Sequence, residues 1–164
     1  MIFVTVGNAT QGFRRLLDAI DRLAGEGLFG DDDVFIQSGY NHDFHAVNCK
    51  QESFMPMDEF VHKMQQAAVI VCHAGTGTLS HALRAGKVPV VMPRRMKYGE
   101  IVDDHQLELV QTLNADDRVI PVYEPDELPA AVAEARRRGS MPVSPSSSDM
   151  HRLVAKAIEE LIGN

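Results

Sequence analysis

The sequence predicts an α/β fold, a mostly parallel sheet with helices packed on both faces. Two observations carry this. Five short runs, residues 2–6, 34–37, 69–72, 88–92 and 119–122, are rich in β-branched residues and almost unbroken in apolar ones. Strands buried on both faces read this way. Between the runs, apolar residues recur at three- and four-residue spacing, the period of a helix that lays one stripe on a sheet. Strand and helix in alternation give parallel strands joined by crossover helices. Ligands of such sheets bind outside the carboxyl ends of the strands.

Taken in order, MIFVTVGN opens the chain as a first strand. It has no basic leader region and is too short in its apolar part for a signal peptide. Phe13, Leu16, Leu17, Ile20 and Leu23 then mark the first helix. Leu79, Ala82 and Leu83 mark a second after the strand at 69–72, and Leu107, Val110 and Leu113 a third. Residues 1–138 form the expected domain. The segment 139–148, GSMPVSPSSS, is a linker by composition. Asp149 then caps a last amphipathic helix, 149–164, with Met150, Leu153, Val154, Ala157, Ile158, Leu161 and Ile162 on one face. That face can fold back on its own domain or dock on a second protein.

Composition narrows the function. The chain has 164 residues, 45% hydrophobic and 24% charged, which suits one globular domain. No apolar run approaches the roughly 18–20 residues of a membrane span. The net charge of −7 argues against nucleic acid as a partner, because such binding rests on neutralising many phosphates. The two cysteines, Cys49 and Cys72, stand in no metal or redox pattern, and a reduced, cytoplasmic protein is expected.

The most informative stretch runs from 69 to 94, VIVCHAGTGTLSHALRAGKVPVVMPR. A buried strand ends at Cys72, a small-residue loop follows (His73, Ala74, Gly75, Thr76, Gly77, Thr78), and a helix begins, closing at Gly86. This geometry aims backbone N–H groups at an anion, lets it approach closely, and adds the helix dipole. Thr76 and Thr78 add hydroxyl donors, so a diphosphate is the expected ligand. A tight turn made for packing alone is the plainer reading of the same glycines. A dinucleotide fingerprint is a poor match: Ser80 stands where its third glycine belongs, and the loop follows a middle strand. His81 lies roughly 200° round the helix from Leu79, at about 100° per residue. It therefore faces away from the core, toward whatever the loop binds or toward solvent.

Other strand-end segments join it. Arg94, Arg95 and Lys97 make the loop after 88–92 basic, suited to phosphate or carboxylate, or simply solvated. Asp103, Asp104, His105 and Gln106 open a helix, with an aspartate as its cap. Gln106, both donor and acceptor, suits sugar hydroxyls. Gly7, Asn8, Ala9 and Thr10 form a second small-residue loop facing the same crevice. The run Asp31-Asp32-Asp33 contains a formal DxD, but it precedes a strand and reads as a solvated turn. His42 and His45 lack the company a metal site needs, and the cations Arg136, Arg137 and Arg138 suit a helix end.

Together and in order, VTVGN, IQSG, HAGTGT, GKVPVVMPR and DDHQLEL resemble glycosyltransferase family 28. They resemble most the small subunits of its split enzymes: that of the dolichol-linked N-acetylglucosamine transferase, and exopolysaccharide transferases of the PssE type. The likeness weakens after about Val122. It implies a Rossmann-like sheet, the carboxyl-terminal half of a GT-B enzyme, with no metal and no cofactor beyond the UDP-sugar donor itself. By resemblance, Gly75, Thr76, Gly77 and Thr78, after His73, would hold the diphosphate. Phe54 and Met55 would meet uracil. Asp104, His105 and Gln106 would stand near the donor sugar, with Arg94 nearby and with Gly7 and Asn8 facing the cleft. Many members carry a glutamate for the ribose hydroxyls where this chain has His81, which puts donor choice in question.

The function so implied is donor binding in an inverting UDP-sugar glycosyltransferase. It would act on a lipid-linked saccharide in exopolysaccharide or related glycan assembly. A membrane-associated acceptor-binding subunit of the PssD type would hold the chain at the inner face of the plasma membrane. His105 is the candidate catalytic base, unless the partner supplies it. Self-association is left open. Two alternatives stand beside this reading: a non-catalytic nucleotide-binding or regulatory module, and a UDP-sugar epimerase-like enzyme.

Overall fold

A computed structural model describes residues 1–139. Of the expected linker, 139–148, Gly139 closes the last described helix; residues 140–148 and the expected last helix lie outside the described residues. Six strands form one sheet: β1 (Ile2–Thr5), β2 (Val34–Gln37), β3 (Lys50–Glu52), β4 (Val69–Cys72), β5 (Val90–Val91) and β6 (Ile120–Pro121). Their order is β3-β2-β1-β4-β5-β6, and every neighbouring pair is parallel. The order reverses between β1 and β4. Such a switch point opens a crevice, because the loops after its two strands leave in opposite directions.

Helices cover both faces, as the alternation predicts. On one face, α1 (Arg14–Gly25) buries Leu16, Leu17, Ile20 and Leu23, beside α5 (Leu128–Gly139) with Leu128, Ala131, Val132 and Ala135. On the other face lie α2 (Met57–Gln66), α3 (Thr76–Arg84) and α4 (His105–Ala115). Their buried side chains, among them Phe60, Met64, Leu79, Ala82 and Val110, pack with Phe3, Ile70 and Cys72. Gly86 ends α3 in the left-handed region (φ 74°). Its N–H donates to Leu83 and that of Lys87 to Ala82, the reciprocal pair that satisfies a helix's last carbonyls.

The structure departs from the sequence reading in several places. The strand β3 was not expected: it is polar and exposed at the sheet edge, so it carries no apolar signal. Nor was α2, although Phe60 and Met64 stand four apart behind Pro56. The paired parts of β5 and β6 shrink to two residues each, beside Pro89 and at Pro121, since proline donates no ladder hydrogen bond. Met92 and Val122 still donate to the neighbouring strands at 2.9 Å. In α4 the buried residues are Leu109, Val110 and Leu113, with Leu107 only half-buried. Asp32 is more than a solvated turn, pairing with the chain's amino terminus at 3.2 Å and with Arg136 at 2.8 Å.

One buried ion pair holds the long loop after β5 in place. Glu100 is 4% exposed. Its carboxylate accepts from Arg15 Nη2 at 2.9 Å and Nε at 3.2 Å, and from the Arg95 N–H at 3.0 Å. Arg15 also donates to the carbonyls of Tyr123 and Pro93. Removing one member of a buried pair strands the other without water, at a cost of about 3–5 kcal/mol. The exposed pair of Lys50 with Asp33 is worth less than about 1 kcal/mol. Urea unfolding is therefore expected to show a large loss of stability, about 3 kcal/mol, for Glu100→Ala. For Asp33→Ala it is expected to show a change under ~1 kcal/mol.

Candidate functional site

A cavity of about 470 Å³ opens at the switch point, on the carboxyl side of the sheet. Its floor is polar. Thr5 and Gln37, at the ends of β1 and β2, are buried, and the Thr5 hydroxyl donates to Gln37 Oε1 at 2.8 Å. The Gly7 N–H in turn donates to Thr5 Oγ1 at 3.3 Å. One wall is the small-residue loop and first turn of α3: Gly75, Thr76, Gly77 and Thr78. Phe54, Met55, Met57 and Phe60 supply an apolar part of the lining. Asn8 and His81 complete the lining. The lining thus combines donor-rich backbone with rings and thioethers.

His73 belongs to the polar part of the lining. It is 7% exposed and lies between the two turns that follow β1 and β4. A Cβ on Gly7 would stand 2.5 Å from its Cε1, and one on Gly75 would stand 2.1 Å from its Nε2. Both glycines are therefore demanded by the imidazole between them. Gly39 completes the packing: at φ 58°, a Cβ there would meet the Gly7 carbonyl oxygen at 2.4 Å. Burial, joined by the charge of Arg94, pushes the His73 pKa down to about 4, against a weaker opposing effect from the Thr5 backbone. The ring is neutral near pH 7, and its Nδ1 is buried without a hydrogen-bond partner.

The other expected site residues divide. Gly7, Asn8, Phe54, Met55, His73, Gly75, Thr76, Gly77, Thr78 and His81 all line this one cavity. Thr5, Gln37, Met57 and Phe60 line it too, and were not anticipated. Thr5 and Gln37 end apolar strands and so read as core, while α2 itself went unread. Arg94, Asp104, His105 and Gln106 do not line the cavity. Arg94 requires a correction: it is fully buried, stacked 4.8 Å from the Phe13 ring centre. Its guanidinium donates to the carbonyls of Gln11, Glu100 and Val6. Both Nη1 and Nη2 are engaged by backbone carbonyls, so the side chain ties the loop after β5 to the loop after β1 and does not line the cavity. Arg95 stands 3.6 Å from Asp104, and Lys97 lies over the Tyr98 ring at 4.8 Å. Among the described residues, the cavity lining contains no arginine or lysine.

Gln106 is a tie as well. Its Oε1 accepts from the Ala74 N–H at 3.2 Å and the Arg94 N–H at 3.0 Å, joining the loops after β4 and β5. Only its amide nitrogen is left to face outward. The N-cap residue of α4 is Asp104, though its carboxylate caps no N–H of the helix; Asp103 Oδ1 accepts the His105 N–H at 3.0 Å. Asp104 instead accepts from the Met96 N–H at 3.0 Å. The His105 side chain is 68% exposed, with Nδ1 3.2 Å from Asp103 Oδ2. Among the described residues, no group of three or more His, Cys, Asp or Glu side chains is placed to hold a metal ion.

Comparison with known proteins decides the family. The family model of the glycosyltransferase family 28 C-terminal domain matches residues 1–161. The chain belongs to this family. A segment of 56 residues, 34% of the chain, is 38% identical to the UDP-N-acetylglucosamine transferase subunit ALG13 of Yarrowia lipolytica (strain CLIB 122 / E 150), covering 26% of that protein. The crystal structure of the glycotransferase of kitacinnamycin superposes over 99% of this chain with a TM-score of 0.61 at 19% identity. This shows the shared Rossmann-like fold. The chain spans only 39% of that enzyme's length.

His73 is expected to make folding acid-sensitive. Its pKa falls from 6.5 in the unfolded chain to about 4 in the fold, so below pH 6.5 the unfolded state takes up a proton the native state refuses. Stability should fall as pH drops from about 6.5 to 4, by up to ~1.4 kcal/mol per pH unit from this group. Urea unfolding at pH 7, 5.5 and 4.5 should show that part of the slope missing in His73→Asn.

Proposed function

We propose that this chain is the donor-binding half of a UDP-sugar glycosyltransferase. One observation carries the reading: a single cavity is lined both by the backbone of a helix start and by aromatic and thioether side chains. A nucleoside diphosphate calls for both, with its charged phosphates and its flat base. The helix start and its threonine hydroxyls favour the diphosphate without a metal or a lysine. The same groups stabilise the charge that grows on UDP as the sugar leaves, which is where electrostatic catalysis acts. The neutral His73, wedged beside Gly75, adds ring N–H capacity without adding a charge.

In this reading the donor sugar projects toward the start of α4. His105 is the candidate base. Held by Asp103 at Nδ1, it leaves Nε2 free to accept the acceptor's proton. The partner is the other candidate source of that base. Among the described residues, no helix is long and apolar enough to cross a membrane. A separate acceptor-binding subunit of the PssD type would then bring the chain to the membrane's inner face and present a lipid-linked saccharide. The Yarrowia relative carries the name of a transferase subunit, which supports a two-chain enzyme. Exopolysaccharide or related glycan assembly is the proposed setting.

Gly77 offers a clean test. A Cβ there meets nothing within 4 Å, and alanine favours a helix by roughly 1 kcal/mol over glycine. Gly77→Ala should therefore fold at least as stably as the parent, by thermal melting, while narrowing the proposed diphosphate end. Calorimetric titration should show UDP binding to the parent, NAD ignored, and UDP bound at least tenfold more weakly by Gly77→Ala. Unchanged UDP affinity in that variant would place the ligand elsewhere and overturn the reading.

A further inference from the structure

The sulfur atoms of this chain differ sharply in what can reach them. Both cysteines are poor targets for an oxidant. Cys72 is fully buried, and burial pushes its thiol up to about 12. Burial and the nearby Asp21 carboxylate push Cys49 up to about 12 as well. The thiolate is the form that reacts, so both thiols react slowly near neutral pH. A methionine thioether needs no ionisation and takes up oxygen where an oxidant can touch it. Met64 and Met92 are fully buried. Met55 lines the cavity but packs against the core. Among the described methionines, Met57 and Met96 are the most open, at 62% and 55% exposed. Of these two, only Met57 lines the cavity.

Met57 is the first residue of α2, directly behind Pro56. Phe60 follows it by three residues on the same helix and lines the cavity too. The Met57 thioether is thus an apolar part of a ligand chamber and open to solvent at once. As a thioether it is soft and polarisable, suited to contact with a flat ring. Oxidation to the sulfoxide adds one oxygen and makes the side chain polar. That oxygen is an acceptor, and covering it with a ligand that offers no donor costs free energy.

We infer that Met57 is an oxidation site that weakens ligand binding in this cavity. In the reaction, hydrogen peroxide gives one oxygen to the Met57 sulfur and leaves as water. The thioether loses two electrons, and the peroxide gains them. The effect on nucleotide binding rests on the donor-site reading above. To test it, the full chain and Met57→Leu are treated with hydrogen peroxide and mapped by peptide mass spectrometry. Both are titrated calorimetrically with UDP before and after treatment. Leucine keeps an apolar side chain of similar size and has no sulfur to oxidise. Peptide mapping should find one added oxygen on Met57 and on Met96 of the parent. The treated parent should bind UDP at least fivefold more weakly. Met57→Leu, oxidised at Met96, should keep its affinity. Methionine sulfoxide reductases for both epimers should restore the parent. A Met57 that peroxide leaves unmodified, or an oxidised parent with unchanged affinity, overturns the inference; UDP binding before treatment still upholds the donor reading. A variant that loses affinity as the parent does, or a loss that the reductases do not reverse, overturns the assignment to Met57. No UDP binding before treatment sinks the donor reading and this inference with it.

Discussion

Two strand-end turns meet around one buried ring. His73 follows β4, and its imidazole fills the space between the turn after β1 and the turn after β4, so tightly that Gly7 and Gly75 have no room for a Cβ. The Gly7 carbonyl crowds Gly39 in the same way. This chain of contacts links the ends of three neighbouring strands, β2, β1 and β4. It fixes the floor of the cavity and the angle at which α3 begins, and hence where the N–H groups of that helix start point. A neutral ring suits the task, because a charged one would be buried beside Arg94 without a counter-ion of its own.

The far side of the crevice is held by charge rather than by crowding. Glu100 draws Arg15 and the Arg95 N–H together, while Arg94 spends its guanidinium on three backbone carbonyls. Gln106 then stitches the loop after β4 to the loop after β5 through one oxygen. Several polar residues that look like ligand contacts in the sequence are thus fasteners between loops. Their chemistry is the chemistry of ligand binding, turned inward onto backbone groups that would otherwise be buried without partners.

Much of the cavity's lining could be read from the chain. The loop from His73 to Thr78, the turn at Gly7 and Asn8, and the pair Phe54 and Met55 are all in one cavity, and helical phase placed His81 on the cavity side of α3. What could not be read shares one cause. The edge strand β3 is exposed and polar, so it lacks the buried stripe that periodicity detects. Thr5 and Gln37 stand within or beside apolar runs, and only the sheet's order shows that their strand ends become a cavity floor. Arg94 in a basic loop carries no sign of full burial.

The sequence by itself determined the fold class, because runs of apolar residues with period and without it specify buried strands and half-covered helices through local patterning alone. It also located the glycine-rich helix start, since the apolar run ending at Cys72 and the helical spacing from Leu79 bracket that loop. The tertiary structure alone decided which polar side chains face the cavity and which bind backbone. That choice depends on residues far apart in the chain, such as Arg94 with Val6 and Gln11 or Arg15 with Glu100. No local pattern encodes a contact across 80 residues; it exists only once the sheet has set its order and brought those loops to one edge.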